Sequence, residues 1–133
     1  MGQAMIPEPI LVVEDDDGVR EYAGTVLREA GYAVLTARNA VEAFILLEQN
    51  PDIRLMFTDI VMPRIDGLML ADMAKLRHPE LRVVYATGYA DRVARQPGYR
   101  YGPLLAKPYR AAQLEEAVRD SLAHPPNPLT PCR

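Results

Sequence analysis

The chain has 133 residues, 49% hydrophobic and 25% charged, with a formal net charge of −3 and an isoelectric point near 5.4. This is the length of one domain with a substantial core, and the balance of a globular chain rather than a disordered one. It leaves no basic footprint for nucleic acid and no apolar stretch near the ~20 residues of a membrane span, and the lone cysteine, Cys132, excludes an internal disulfide or a cysteine-built zinc site.

The opening MGQAMIPEP lacks the charged start, apolar middle and cleavage site of a signal peptide, so a cytoplasmic protein is expected. Residues 1–8 read as an N-terminal extension. Pro9 to Glu14, PILVVE, is a β-branched apolar run bounded by proline and acids, and predicts a buried strand. From Asp16 the period changes: Val19, Tyr22, Ala23, Val26, Leu27 and Ala30 recur at helical spacing, with Gly31 placed to end the helix. Tyr32 to Thr36 gives a second strand. Asn39-Ala40-Val41-Glu42 predicts a capping box, opening a helix with Ala40, Ala43, Phe44 and Leu47 on one side and stopped at Asn50-Pro51.

Ile53 to Thr58 is the third strand, and Asp66-Gly67 starts a helix that runs to about His78 before Pro79. Leu81 to Ala86 predicts a fourth strand, Ala90 to Gln96 a weak helix, Tyr101 to Ala106 a fifth strand, and Ala111 to Ala123 a last helix with Leu114, Ala117, Val118 and Leu122 facing inward. The remainder, HPPNPLTPCR over residues 124–133, has four prolines in ten residues and packs into no element. The expected domain therefore spans 9–123. Strict βα alternation implies a parallel sheet covered on both faces, and right-handed crossovers make it a doubly wound α/β fold.

In such folds ligands sit beyond the carboxyl ends of the strands, where strand order reverses. Past strand one come Glu14, Asp15, Asp16 and Asp17. Asp59 follows strand three, Thr87 and Gly88 follow strand four, and Lys107-Pro108 follow strand five. A single acid in such a place is commonly a loop residue or helix cap, a part assigned to Asp16 or Asp17. Suitable residues after four strands are a stronger signal. Crowded carboxylates repel one another unless a cation neutralises them, and hard oxygen ligands with few carboxylates suit Mg²⁺. Carboxylate, divalent cation, hydroxyl and lysine together make a site for a phosphoryl group, with aspartate as its acceptor.

The residues LVVEDD (Leu11–Asp16), FTDIVMPRIDG (Phe57–Gly67), YATGYA (Tyr85–Ala90) and LLAKPY (Leu104–Tyr109) resemble the receiver domain of two-component response regulators, from Pro9 to about Ala123. The resemblance implies a flavodoxin-like, five-stranded parallel sheet of order 2-1-3-4-5. It implies Asp59 as phosphoacceptor, and Mg²⁺ held by Asp15 directly, by Glu14 through water, by Asp59 and by the Val61 backbone carbonyl. Thr87 and Lys107 would bind the phosphoryl group, and Lys107-Pro108 would be a cis peptide. Met62-Pro63 would fix the path of the loop after Asp59, and Gly67 would open the following helix.

The chain departs from that pattern at Leu104, where much of the family carries the aromatic that swings inward when the threonine moves. Tyr89, Tyr99 and Tyr101 lie near in sequence but do not match that position. The expectation is a smaller or differently routed rearrangement between Gly88 and Gly102. Val61 and Tyr89, two residues past Asp59 and Thr87, flank the route of a hydrolytic water, and a bulky Tyr89 either shields the acyl phosphate or serves as a partner-binding aromatic. His78 and His124 read as structural residues at helix C-termini. Met56, Met62, Met69 and Met73 read as core filling, and Arg92, Arg95 and Arg100 as a solvated basic patch.

Three classes of function compete. A signalling switch accepts phosphate from a sensor kinase histidine or phosphotransfer protein and then binds a downstream protein partner. A phosphatase-type hydrolase with Asp59 as nucleophile wants a second aspartate where this chain has Val61. A flavin- or nucleotide-binding module wants a glycine-rich phosphate loop where this chain has EDDDG. The first reading is adopted: not an enzyme beyond self-phosphotransfer and autodephosphorylation, without nucleic acid or membrane, and a monomer or weak dimer. No DNA-binding segment follows the last expected helix, so a stand-alone receiver is expected, with a receiver cut from a hybrid kinase or larger regulator as the alternative. The weak fourth helix, strand five and the last helix make the expected partner face.

Overall fold

A computed structural model describes residues 7–95 and 102–126. Strands and helices alternate as β1 (Pro9–Val13), α1 (Asp17–Glu29), β2 (Ala33–Ala37), α2 (Ala40–Gln49), β3 (Leu55–Asp59), α3 (Gly67–Arg77), β4 (Arg82–Thr87), α4 (Ala90–Ala94), β5 (Leu104–Ala106) and α5 (Ala111–Leu122). The strands form one parallel sheet in the order β2-β1-β3-β4-β5. This is the doubly wound, flavodoxin-like arrangement that the alternation and the resemblance predict.

The period-two alternation of each strand divides the core between the two faces of the sheet. Leu11, Val13, Met56, Val83 and Tyr85 point to the side covered by α2 and α3, where Ala43, Leu47, Leu70 and Ala74 meet them. Ile10, Val12, Leu55, Phe57, Val84 and Ala86 point to the side of α1 and α5, against Ala23, Leu27, Leu114 and Val118. Both faces of β1, β3 and β4 are dry, which is why their sequences are continuous apolar runs.

The helices begin at side-chain caps. Asp16, Asn39 and Asp66 each accept a backbone N–H three residues on, from Val19, Glu42 and Met69 respectively. After α1 the chain turns through Gly31 at φ +103°, a left-handed conformation that costs glycine least. The expected box at Asn39 is half formed, because the Glu42 carboxylate reaches past the cap to the Arg38 N–H at 2.8 Å.

Two sequence expectations need correcting. Met56 and Met62 are buried, but Met69 and Met73 are 51% and 42% exposed. The inward face of α3 is already filled by Leu70, Ala71 and Ala74, so Met69 and Met73 fall with Leu76 on the opposite stripe. Tyr22, counted on the apolar face of α1, is also half exposed and lies over the Tyr109 ring instead. Tyr99, Arg100, residues 1–6 and residues 127–133 of the proline-rich end lie outside the described residues, as does Tyr101, the expected start of strand five. No helix among the described residues is long and apolar enough to cross a membrane.

Candidate functional site

The register of the sheet brings the functional positions level. Thr58 lies opposite Val13, Asp59 opposite Ala86, and Thr87 opposite Ala106. Asp59 and Thr87 are thus the last residues of their strands rather than the first beyond them, one residue later than the apolar runs suggest. Backbone bonds carry the ladder just past the strand ends, from Glu14 N–H to the Ala37 carbonyl, from Ile60 N–H to Ala86, and from Lys107 N–H to Thr87, each near 3.0 Å. Side chains at positions 14, 59, 87 and 107 are therefore fixed by strands and not by free loops.

Glu14, Asp15 and Asp59 come together, each with a carboxylate oxygen inside a 4.8 Å cluster. Glu14 and Asp59 are buried and Asp15 is exposed, so the cluster opens to solvent on the Asp15 side. The Lys107 ammonium lies 2.7 Å from Glu14 Oε1 and 3.3 Å from Asp59 Oδ2. Thr87 is fully buried, and its hydroxyl accepts the Tyr89 N–H at 3.1 Å. Asp16 and Asp17 stay outside the cluster, Asp16 as the cap of α1 and Asp17 paired with Arg20.

Burial pushes the Asp59 and Glu14 carboxyls above the usual carboxylate range, against the opposing pull of Lys107 on both. Burial also opposes the Lys107 ammonium, but its bond to Glu14 and the field of Asp59 outweigh it and raise its pKa. A site in which buried carboxylates are only partly neutralised by one lysine attracts a further cation. Three hard oxygen donors without nitrogen or sulfur suit Mg²⁺, so the residues present fit that ion.

The structure adds residues that sequence reasoning passed over. Arg20 on α1 donates to the Glu14 carbonyl oxygen at 2.9 Å, holding the acidic end of β1 in place. Its one sequence signal is a basic residue three positions past the acidic run Glu14–Asp17. Tyr109 is buried beside the site with its ring edge-on to Phe57, 5.5 Å between centroids. The Lys107–Pro108 peptide is cis. Gly67 packs so closely under Asp59 that a Cβ there would stand 2.2 Å from the Asp59 carbonyl oxygen. Leu104 is half-buried and lies in register with Tyr85 of β4, which is itself buried. Val61 and Tyr89 are both exposed at the rim, with the Arg92 guanidinium 5.7 Å from the centre of the Tyr89 ring.

Fold and site together define a flavodoxin-like α/β domain with a buried carboxylate, a hydroxyl and a lysine gathered at its topological switch point. Residues 10–119 match the family model described as "Response regulator receiver domain", and the chain belongs to that family of two-component signalling proteins. It is 35% identical to the response regulator receiver protein CpdR of Brucella abortus, over 85% of this chain and 95% of that protein. It is 34% identical to the sensor kinase CckA of the same organism over 85% of this chain, but spans 12% of that kinase's length. Among solved structures, the response regulator TrrA of Thermotoga maritima, crystallised with Mg²⁺ and a beryllium fluoride, is 27% identical. It superposes with a TM-score of 0.75 over 85% of this chain and 97% of that one.

Proposed function

We propose that this domain is a phosphorylatable switch that takes a phosphoryl group from a histidine of a sensor kinase or phosphotransfer protein onto Asp59 and then changes its binding to a protein partner. The observation that carries the reading is the buried Asp59 carboxylate, within a 4.8 Å acidic cluster and 3.3 Å from the Lys107 ammonium. An Asp59 oxygen attacks the phosphorus, forming an acyl phosphate as the P–N bond to the donor histidine breaks and its ring nitrogen keeps the electron pair. Glu14, Asp15, Asp59 and the Val61 carbonyl oxygen would hold Mg²⁺, which would supply the positive charge that offsets carboxylate and phosphoryl oxygens.

Lys107 pairs with one phosphoryl oxygen, and the Thr87 hydroxyl donates to another. An apolar groove of about 390 Å³ between α1 and the loop after β5, walled by Tyr22, Pro108 and Tyr109, adjoins Lys107 and offers the donor protein a docking surface. The TrrA complex, with Mg²⁺ and a phosphoryl mimic on the same fold, supports the metal and the chemistry. A receiver that works inside a larger kinase is the second reading, favoured by the match to part of CckA.

The test is addition of Mg²⁺ with beryllium fluoride to the ¹⁵N-labelled protein. Amide resonances of Asp59, Thr87 and Lys107 are expected to shift further when both are present than with Mg²⁺ alone. An unchanged spectrum counts against the reading.

A further inference from the structure

The exposed apolar surface of this domain is concentrated on one side. Of the eight large hydrophobic residues exposed among the described residues, five lie on α2 and α3: Val41, Ile45, Met69, Met73 and Leu76. Val41 and Ile45 are four apart on α2, and Met69, Met73 and Leu76 recur at i, i+4 and i+7 on α3. Each helix therefore carries an outward apolar stripe. Glu48 and Arg77 continue the two stripes by about one turn. The Arg77 guanidinium donates twice to the Glu48 carboxylate, at 2.8 Å each, which sets the stripes side by side. At its other end the seam opens into a pocket of about 370 Å³ between the start of α2 and the loop before α3, walled by Val41, Pro63 and Ile65.

Arg64 lines the same pocket, exposed and at φ 71°, a left-handed conformation that side chains seldom adopt. It has no ion pair among the described residues, whereas the acids of the seam are engaged. Glu42 pairs with Arg38, Glu48 with Arg77, Asp66 caps α3, and Asp72 neighbours Lys75. The same seam on a second copy of the chain would offer Arg64 an acid only by breaking one of these contacts. Single apolar residues on a surface need no explanation, but stripes on two adjoining helices mark an interaction site. We propose that the α2–α3 seam is a docking groove for an amphipathic helix of a partner protein. That helix carries apolar residues at i, i+3 or i+4 and i+7, and an acidic residue at the end that meets Arg64. About three turns match the ten residues of α2. Met69 and Met73 let the groove mould itself to different apolar side chains. The surface is separate from the acidic cluster and from the α4, β5 and α5 face, and its use requires no phosphoryl group.

Titration of the ¹⁵N-labelled full chain with a stapled helical peptide of about 14 residues, leucines on one face and a glutamate at one end, tests it. Saturable amide shifts are expected at Val41, Ile45, Arg64, Met69, Met73 and Leu76. Met73→Asp is expected to weaken binding about tenfold or more, and Arg64→Glu about fivefold, with the latter loss recovered when the peptide's glutamate is replaced by lysine. Failure to saturate, shifts centred on Tyr22 and Tyr109 or on α4, or a charge swap without recovery would overturn the proposal. So would seam shifts on concentrating the protein alone, with a dimer in sedimentation, which would assign the face to a second copy. Each of these outcomes leaves the phosphoacceptor reading of Asp59 untouched.

Discussion

Gly67 decides how Asp59 is presented. Its N–H donates to the Ile60 carbonyl at 2.8 Å, and a methyl group in its place would meet the Asp59 carbonyl oxygen at 2.2 Å and Ile60 Cα at 2.9 Å. Both obstacles are backbone, so neither yields by a rotamer change. Gly67→Ala is expected to cost about 1–3 kcal/mol in urea unfolding and to displace the acceptor; a midpoint unchanged from wild type refutes that close fit. Tyr89 is 56% exposed with Arg92 over its ring, and the proposed switch has it screening the acyl phosphate from water. Tyr89→Ala is expected to shorten the phosphoryl lifetime severalfold, read as loss of the phosphorylated mass with time. A lifetime equal to wild type assigns Tyr89 to partner contact instead. Asp59, Thr87 and Lys107 were legible because each polar residue interrupts or ends an apolar run. Arg20 was not, because its target is a backbone carbonyl that no side-chain pattern marks.

At the scale of elements, β5 and α4 are the short members, three and five residues. The usual aromatic of strand five is replaced by Leu104, and the buried aromatic beside it, Tyr85, belongs to β4. The direct link from the site to the next helix is the Thr87 hydroxyl, which accepts the Tyr89 N–H one residue before α4 begins. On the proposed function, rotation of that hydroxyl toward a phosphoryl oxygen would release the Tyr89 N–H and loosen the start of α4. Amide shifts on adding Mg²⁺ and beryllium fluoride should therefore spread beyond the site itself into Gly88–Ala94. Changes beyond the site confined to α1, α2 or α3 would contradict this route. The longer elements were legible from period and caps alone, since β1, β3 and β4 are buried on both faces and α1, α2 and α3 start at Asp or Asn. Strand five was overextended through Gly102 and Pro103, which precede β5 at Leu104. Met69 and Met73 were misplaced because methionine suits core and surface alike.

For the whole molecule, the site works against the stability of the metal-free fold. Burial raises both Asp59 and Glu14 above their ordinary carboxylate values. A raised acid contributes stability that is full below its unfolded pKa and lost as pH rises through its folded one. Chelated protein should therefore gain stability as pH falls from 7 toward those raised values, and Asp59→Asn should reduce that gain and raise the neutral-pH midpoint. A wild-type midpoint that only falls with acidification would contradict this. Glu42 and Glu48 shift the opposite way through Arg38 and Arg77, but these exposed pairs add little. The central claim is most directly tested by intact mass after incubation with acetyl phosphate and Mg²⁺. The account predicts a gain of one phosphoryl group in the wild type, abolished by chelation and by Asp59→Asn. No gain in the wild type, or a gain that persists in Asp59→Asn, would contradict it.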